Sequence, residues 1–340
     1  MQFGENCGGR SVMEKLVVLL ALLPCVTMKT LWDPLKDDPP SLRFAVIGDW
    51  GGLPLPPYNT KQELMVAAEL ANTVAKWGAD FIVSVGDNFY YDGVKDVKDY
   101  RFQKTFENVF DGESLQNVPW YVVAGNHDHN GNVSAQIAYT NVSSRWIYPD
   151  LYYDLSFKIP STNVSVRLLM LDTIVLCGNS DDHVGGQPLG AANPKLAEEQ
   201  LDWLIKKLES SKDDYLLVAG HYPVWSIAEH GPTSCLLKHL EPLLKKYKVT
   251  AYLCGHDHNM QYLQDDRGIG YVLSGAGNFM EHSRRHKDEV PEGYLRFYQG
   301  DQETMGAFAY VRITPTAMNV TYIQSGGKSL FQTSLYPRSL

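Results

Sequence analysis

Five short apolar runs in this 340-residue chain each end in Gly followed by a side chain that can bind a metal. The segments are Gly48-Asp49-Trp50-Gly51, Gly86-Asp87-Asn88-Phe89-Tyr90, Gly125-Asn126-His127-Asp128, Gly220-His221-Tyr222-Pro223 and Gly255-His256-Asp257-His258. Glycine lets the backbone turn sharply and come close to a ligand. A single Gly-Asp carries little, because Asp after a strand is commonly a turn residue. The ordered series Asp, Asp, Asn-His, His, His-x-His carries much more. It offers carboxylate, amide and imidazole donors, a set suited to transition metals. Tyr90 adds a phenol, with Tyr91 beside it as a rival. As a phenolate, that phenol is a hard anionic donor matched to Fe(III). His256 and His258 are two apart, which places them on one side of an extended segment. None of the five segments contains Lys or Arg, so bound metals rather than cationic side chains would recognise an anionic substrate. No Ser or Cys stands in a nucleophile motif, so no covalent intermediate on the protein is expected.

The elements that must position these residues can be read from periodicity. Leu42 to Ile47 and the runs before Gly86, Gly125, Gly220 and Gly255 have the continuous apolar character of buried strands. Thr60 to Lys76 has apolar residues at helical spacing; further helices are expected over Pro194 to Glu209 and Leu236 to Tyr247. Strand, helix, strand in this order implies a largely parallel sheet with helices outside, and ligands collect beyond the carboxyl ends of such strands. Gly306 to Thr314 and Ala317 to Gln324 read as an antiparallel pair. The expected organisation is a leader over 1–28, with Met13 as a possible start, one catalytic domain over 41–325 and a tail over 326–340. The stretch Asn179 to Asn193, rich in Gly, Asp, Pro and Asn, reads as an exposed flap over the site.

Net charge is −9 with a pI of about 5.6, which argues against a nucleic-acid partner. The apolar run Leu16 to Val26 has the length of a signal peptide and is short for a membrane span. No later run offers a membrane anchor. Acceptor motifs at Asn132, Asn141, Asn163 and Asn319 fit glycosylation in the secretory pathway. Cys7 and Cys25 leave with the leader. Cys254 lies in an apolar run, so Cys177 and Cys235, in polar surroundings, are paired in a disulfide.

Together the five segments resemble the metallophosphoesterase superfamily over about Leu42 to Gln324. Many of its members open with Asp-x-His, whose His binds the first metal. This chain has Asp49-Trp50-Gly51 there, and Tyr90 three residues after Asp87. That exchange is the mark of the purple acid phosphatases, and the short chain looks most like the small tartrate-resistant acid phosphatases of animals. The resemblance implies an α/β (α+β) fold, a four-layer αββα sandwich of two mixed β-sheets flanked by helices. It implies Fe(III) on Asp49, Asp87, Tyr90 and His258, and a second ion on Asp87, Asn126, His221 and His256, with Asp87 bridging. The second ion in the family is Fe(II), Zn(II) or Mn(II). His230, in Glu229-His230-Gly231-Pro232, matches a family histidine near the substrate. An activating protease would cut the flap, whose Asp181, Asp182 and His183 are near enough in sequence to reach the metals.

Two Asp and one tyrosinate supply three negative charges against five on the metals, so with one hydroxide the centre keeps a positive charge and attracts phosphate. The expected reaction is in-line hydrolysis of phosphate monoesters by metal-bound hydroxide, at acidic pH, with phosphoanhydrides and phosphoproteins as further substrates. His127 and His230 would bind phosphate or protonate the leaving oxygen. Asp128 and Asp257 would orient their neighbours. His129, His183, His239, His282 and His286 read as structural or exposed. The expected product is a secreted or lysosomal monomer that meets small phosphate esters and inorganic phosphate. A metallophosphodiesterase and a secreted iron-binding or redox protein remain as alternatives at this point.

Overall fold

The computed structural model describes residues 39–180 and 186–339. In chain order the elements are β1 (Leu42–Ile47), α1 (Lys61–Trp77), β2 (Phe81–Ser84), β3 (Trp120–Val122), α2 (Asn126–His129), α3 (Val133–Tyr139), β4 (Trp146–Ile147), β5 (Tyr153–Lys158), β6 (Ser165–Met170), α4 (Thr173–Cys177), α5 (Pro194–Ser210), β7 (Tyr215–Ala219), α6 (Ser234–His239), α7 (Glu241–Lys246), β8 (Ala251–Cys254), β9 (Met260–Gln264), β10 (Gly270–Ser274), β11 (Leu295–Gln299), β12 (Ala307–Ile313), β13 (Met318–Gln324) and β14 (Ser329–Leu335). One sheet runs β14-β13-β12-β1-β2-β3-β4 and the other β11-β9-β10-β8-β7-β6-β5. The chain thus folds as two mixed sheets with flanking helices. Each sheet is parallel at its centre: β1 to β4 in the first, and β6, β7, β8 and β10 in the second. Antiparallel strands complete the edges, among them the expected pair β12 and β13.

The apolar runs follow from burial on both faces. In β8, Ala251 and Leu253 join the core shared by the two sheets, while Tyr252 and Cys254 point to the opposite side under the helices. Helix α1 starts where Thr60 accepts from the Glu63 amide and Glu63 accepts from the Thr60 amide, a reciprocal cap. The helix expected over Leu236 to Tyr247 is two short ones, α6 and α7. Pro242 lies in the first turn of α7, the one place where its missing N–H costs nothing. The segment expected as a tail carries β14, paired along β13; its exposed alternate residues made it look like coil. Cys177 and Cys235 form the expected disulfide, tying the end of α4 to α6, and Cys254 is free and buried. Among the described residues no helix is long and apolar enough to cross a membrane.

Candidate metal centre

Segments after β1, β2, β3, β7 and β8 converge where the parallel centres of the two sheets meet. Asp49, Asp87 and His256 all have positive φ, 59°, 53° and 73°. Non-glycine residues avoid this region except where surroundings impose it, commonly at functional sites. After β1, β2 and β8 the turn is therefore made by the donor residue itself. The neighbouring glycines clear the way: a Cβ on Gly125 would strike Asp87 Oδ1, and one on Gly255 would strike Asp49 Oδ2.

Two groups of donors form. In the first, the Tyr90 hydroxyl lies 2.9 Å from His258 Nε2 and 3.3 Å from Asp49 Oδ1, and His258 Nε2 is 3.8 Å from Asp49 Oδ1. In the second, His221 Nε2 lies 2.8 Å from Asn126 Oδ1 and 3.4 Å from Asp87 Oδ2. Donor atoms of Asp87, His221 and His256 all lie within 4.8 Å of one another. Ligands about 2.1 Å from one ion stand about 3 to 3.5 Å apart, so both groups fit first-row metals. Tyr90 is 1 % exposed and Tyr91 is 45 % exposed, which separates the two rivals. The spacing argument for His256 and His258 fails in its reason. The segment after β8 is a turn rather than a strand, and the two rings reach different donor groups.

The electrostatics also call for cations. Burial pushes Asp49 up to about 7, with His221 opposing and Asp87 reinforcing the shift. Burial also opposes ionisation of Asp87, but His221 and His127 outweigh it and hold the carboxyl well below its usual range. His221 is pushed up to about 10: burial favours the neutral ring, and the Asp87 carboxylate overrides it. His256 is held neutral, by burial first and then by the neighbouring imidazoles His230 and His221.

Surrounding groups fix this geometry. Trp50, fully buried, packs against Phe89, Phe106, Phe110, Trp120 and Trp146 and anchors the turn after Asp49. His221 Nδ1 donates to the Val85 carbonyl, which directs Nε2 at the site. Asp128 accepts from the amides of Gly125, Asn88 and Phe89, joining the segments after β2 and β3. Asp257 accepts from the His230 amide and the Ser226 hydroxyl. Both aspartates orient neighbours, as expected. Sequence reasoning missed Glu281, whose Oε1 lies 3.1 Å from His258 Nδ1, and the amides of Asn88 and Gln136 around Asp128. Asn88 had a signal in its place beside Asp87; Glu281 had none.

His127 and His230 line a pocket of about 640 Å³ with Tyr91, Glu229, Phe279 and Glu281. His127 Nδ1 lies 2.9 Å from the Tyr91 carbonyl, and its Nε2 is 4.0 Å from Asp87 Oδ2. The His230 ring stacks on His256 at 4.1 Å. Asn179 donates to the Asn126 carbonyl and to Asn130 Oδ1, mooring the start of the flap; Asp181, Asp182 and His183 lie outside the described residues. His239 and His282 are exposed, and His286 pairs with Glu289.

His129 braces α2 from the other side, with Nε2 2.7 Å from Asp172 Oδ2. Burial favours the neutral ring, but Asp172 outweighs it and raises the His129 pKa above its ordinary value. A pKa raised in the folded state gives stability that is full below about pH 6.5 and fades as pH rises through the folded value. His129→Gln should therefore lower stability by about 2 kcal/mol at pH 6. The deficit should shrink towards alkaline pH, as read by urea unfolding at several pH values.

A family model for calcineurin-like phosphoesterases matches residues 42–260. The human tartrate-resistant acid phosphatase type 5 is 62 % identical over 300 residues, covering 88 % of this chain and 92 % of the human one. Purple acid phosphatase 17 of Arabidopsis thaliana is 31 % identical, covering 89 % and 90 %. The solved structure of GAP50, described as the anchor in the inner membrane complex of Plasmodium, superposes with a TM-score of 0.74 at 25 % identity, covering 88 % and 90 %. With strand-end donors in two metal-sized groups, the chain belongs to the calcineurin-like phosphoesterases and, within them, to the purple acid phosphatases of the tartrate-resistant type, phosphoric monoester hydrolases with a binuclear metal centre.

Proposed function

We propose that the chain hydrolyses phosphate monoesters with Fe(III) on Asp49, Asp87, Tyr90 and His258 and a divalent ion on Asp87, Asn126, His221 and His256. Asp87 serves both ions, and the divalent one is Fe(II), Zn(II) or Mn(II). The observation that carries this reading is the double convergence of buried donors, with no Lys or Arg among the described residues lining the pocket. Such a pocket attracts a phosphate dianion chiefly through bound cations, with His127 and His230 assisting. When bound, the two ions supply Lewis acidity towards phosphate oxygens and make hydroxide available below neutral pH.

The side chains supply the rest. The Tyr91 carbonyl fixes the proton of His127 on Nδ1, so Nε2 is the atom that, when protonated, gives a proton to the departing alcohol oxygen. His230, held through its amide by Asp257 and by stacking on His256, lies across the pocket to hold a phosphate oxygen. The pocket rim is exposed at Tyr91, Asn130 and Glu281 and carries no Lys or Arg among its described lining residues, which supports broad specificity, phosphoanhydrides and phosphoproteins included.

The reading includes a leader over 1–28, a catalytic domain from residue 41, and a monomer that is secreted or lysosomal. A protease acts on the flap. Asn132, Asn141 and Asn163 are exposed, Asn163 being the best suited to glycan, since the Asn132 amide nitrogen donates to the Lys95 carbonyl; the Asn319 amide oxygen accepts from the Ser334 hydroxyl on the next strand. Removing both ions by chelation should abolish hydrolysis of a small monoester, and iron with a divalent ion should restore it. Undiminished turnover in the metal-free protein would contradict the proposal, and a preference for diesters would favour the phosphodiesterase alternative.

A further inference from the structure

Arg101 is the charged residue closest to the Tyr90 backbone, and the mechanism above does not use it. It stands just before a single π-helical turn, Phe102–Glu107, and is 4 % exposed. A buried guanidinium is costly unless its donors are satisfied. Here one Nη donates to the Tyr90 carbonyl and the other to the Gly51 carbonyl, while the buried Nε has no hydrogen-bond partner among the described residues, so the two Nη bonds are what offset the burial. The Gly51 carbonyl also accepts from the Tyr90 amide, at 3.0 Å. The fork therefore brackets Tyr90 from both ends of its own backbone and ties it to the segment that carries Asp49. The guanidinium carbon lies 5.5 Å from the centre of the Phe89 ring, which limits its movement on that side. Burial lowers the Arg101 pKa below its ordinary value; the acidic groups Asp99, Asp128 and Glu63 oppose that shift without taking the two Nη donors.

We propose that Arg101 is a positioning residue, which sets where the Tyr90 phenol stands against Asp49 and His258. The inference rests on the reading of Tyr90 as an iron ligand. A planar fork reaches two carbonyls at once, whereas the single ammonium of a lysine does not hold the same geometry. A partner behind a ligand acts on the metal through that ligand's orientation.

The test compares the full chain with R101K and with R101A in the presence and absence of guanidinium ion. It reads iron content and the tyrosinate-to-iron(III) absorption band. R101K is expected to bind iron about tenfold more weakly, with a band that is shifted or weaker per bound iron. Guanidinium should return the R101A band towards that of the parent. A folded R101K with the parent's iron affinity and band overturns the inference. So does failure of both variants to fold, which would make Arg101 a structural residue. A parent chain with bound iron and no such band removes the Tyr90 reading, and this inference with it; a parent band with an unchanged variant removes this inference alone.

Discussion

Asp87→Asn should abolish phosphatase turnover, with a loss of about a thousandfold or more, equivalent to about 4 kcal/mol of barrier. In the proposed reading Asp87 serves both ions: it stands in the second donor group, and its charge also acts on Asp49 and His258 of the first. Its Oδ2 faces His221 Nε2 at 3.4 Å and its Oδ1 accepts the His127 amide at 3.1 Å. Asn has the same shape, so the turn after β2 and its left-handed backbone should survive, since Asn tolerates positive φ. What is lost is the negative charge that the metals require. Metal analysis should find both sites depleted in a chain that still folds. Two ions per chain and more than about a tenth of parental turnover would show that Asp87 does not bridge.

His221→Ala should separate the two sites. Its Nδ1 donates to the Val85 carbonyl just after β2, which aims Nε2 at the second donor group. Its removal should empty the second site and reduce turnover by about a hundredfold or more. The first donor group is held together by Tyr90, His258 and Asp49 among themselves, so the iron and its colour should remain. Retained colour also shows that loss of activity is not loss of fold. Retained turnover, or loss of colour with loss of the second ion, would contradict the two-site assignment.

The donors were legible because each sits at a strand end beside glycine, and burial on both faces makes those strands continuous apolar runs. Tyr90 was singled out by a missing His after Asp49, and its burial against the exposed Tyr91 supports that choice. The His256 and His258 pair was found for a wrong reason, since a turn with positive φ at His256 replaces the extended segment. Residues behind the donors were less legible. Glu281 and Arg101 meet the site only through tertiary folding, 23 residues from His258 and 11 from Tyr90. Nothing in local periodicity brings them there. The edge strand β14 was missed for a related reason: with one face exposed it lacks the apolar run that marks the central strands.

Whether Tyr90 holds iron in a two-metal phosphatase site is tested most directly by metal content and the visible spectrum of the parent chain and of Tyr90→Phe. The expected result is two ions per parent chain, at least one of them iron, and a purple or pink tyrosinate-to-iron(III) band that Tyr90→Phe abolishes while the protein stays folded. An iron-loaded parent without that band, or a band that survives in Tyr90→Phe, would contradict that assignment.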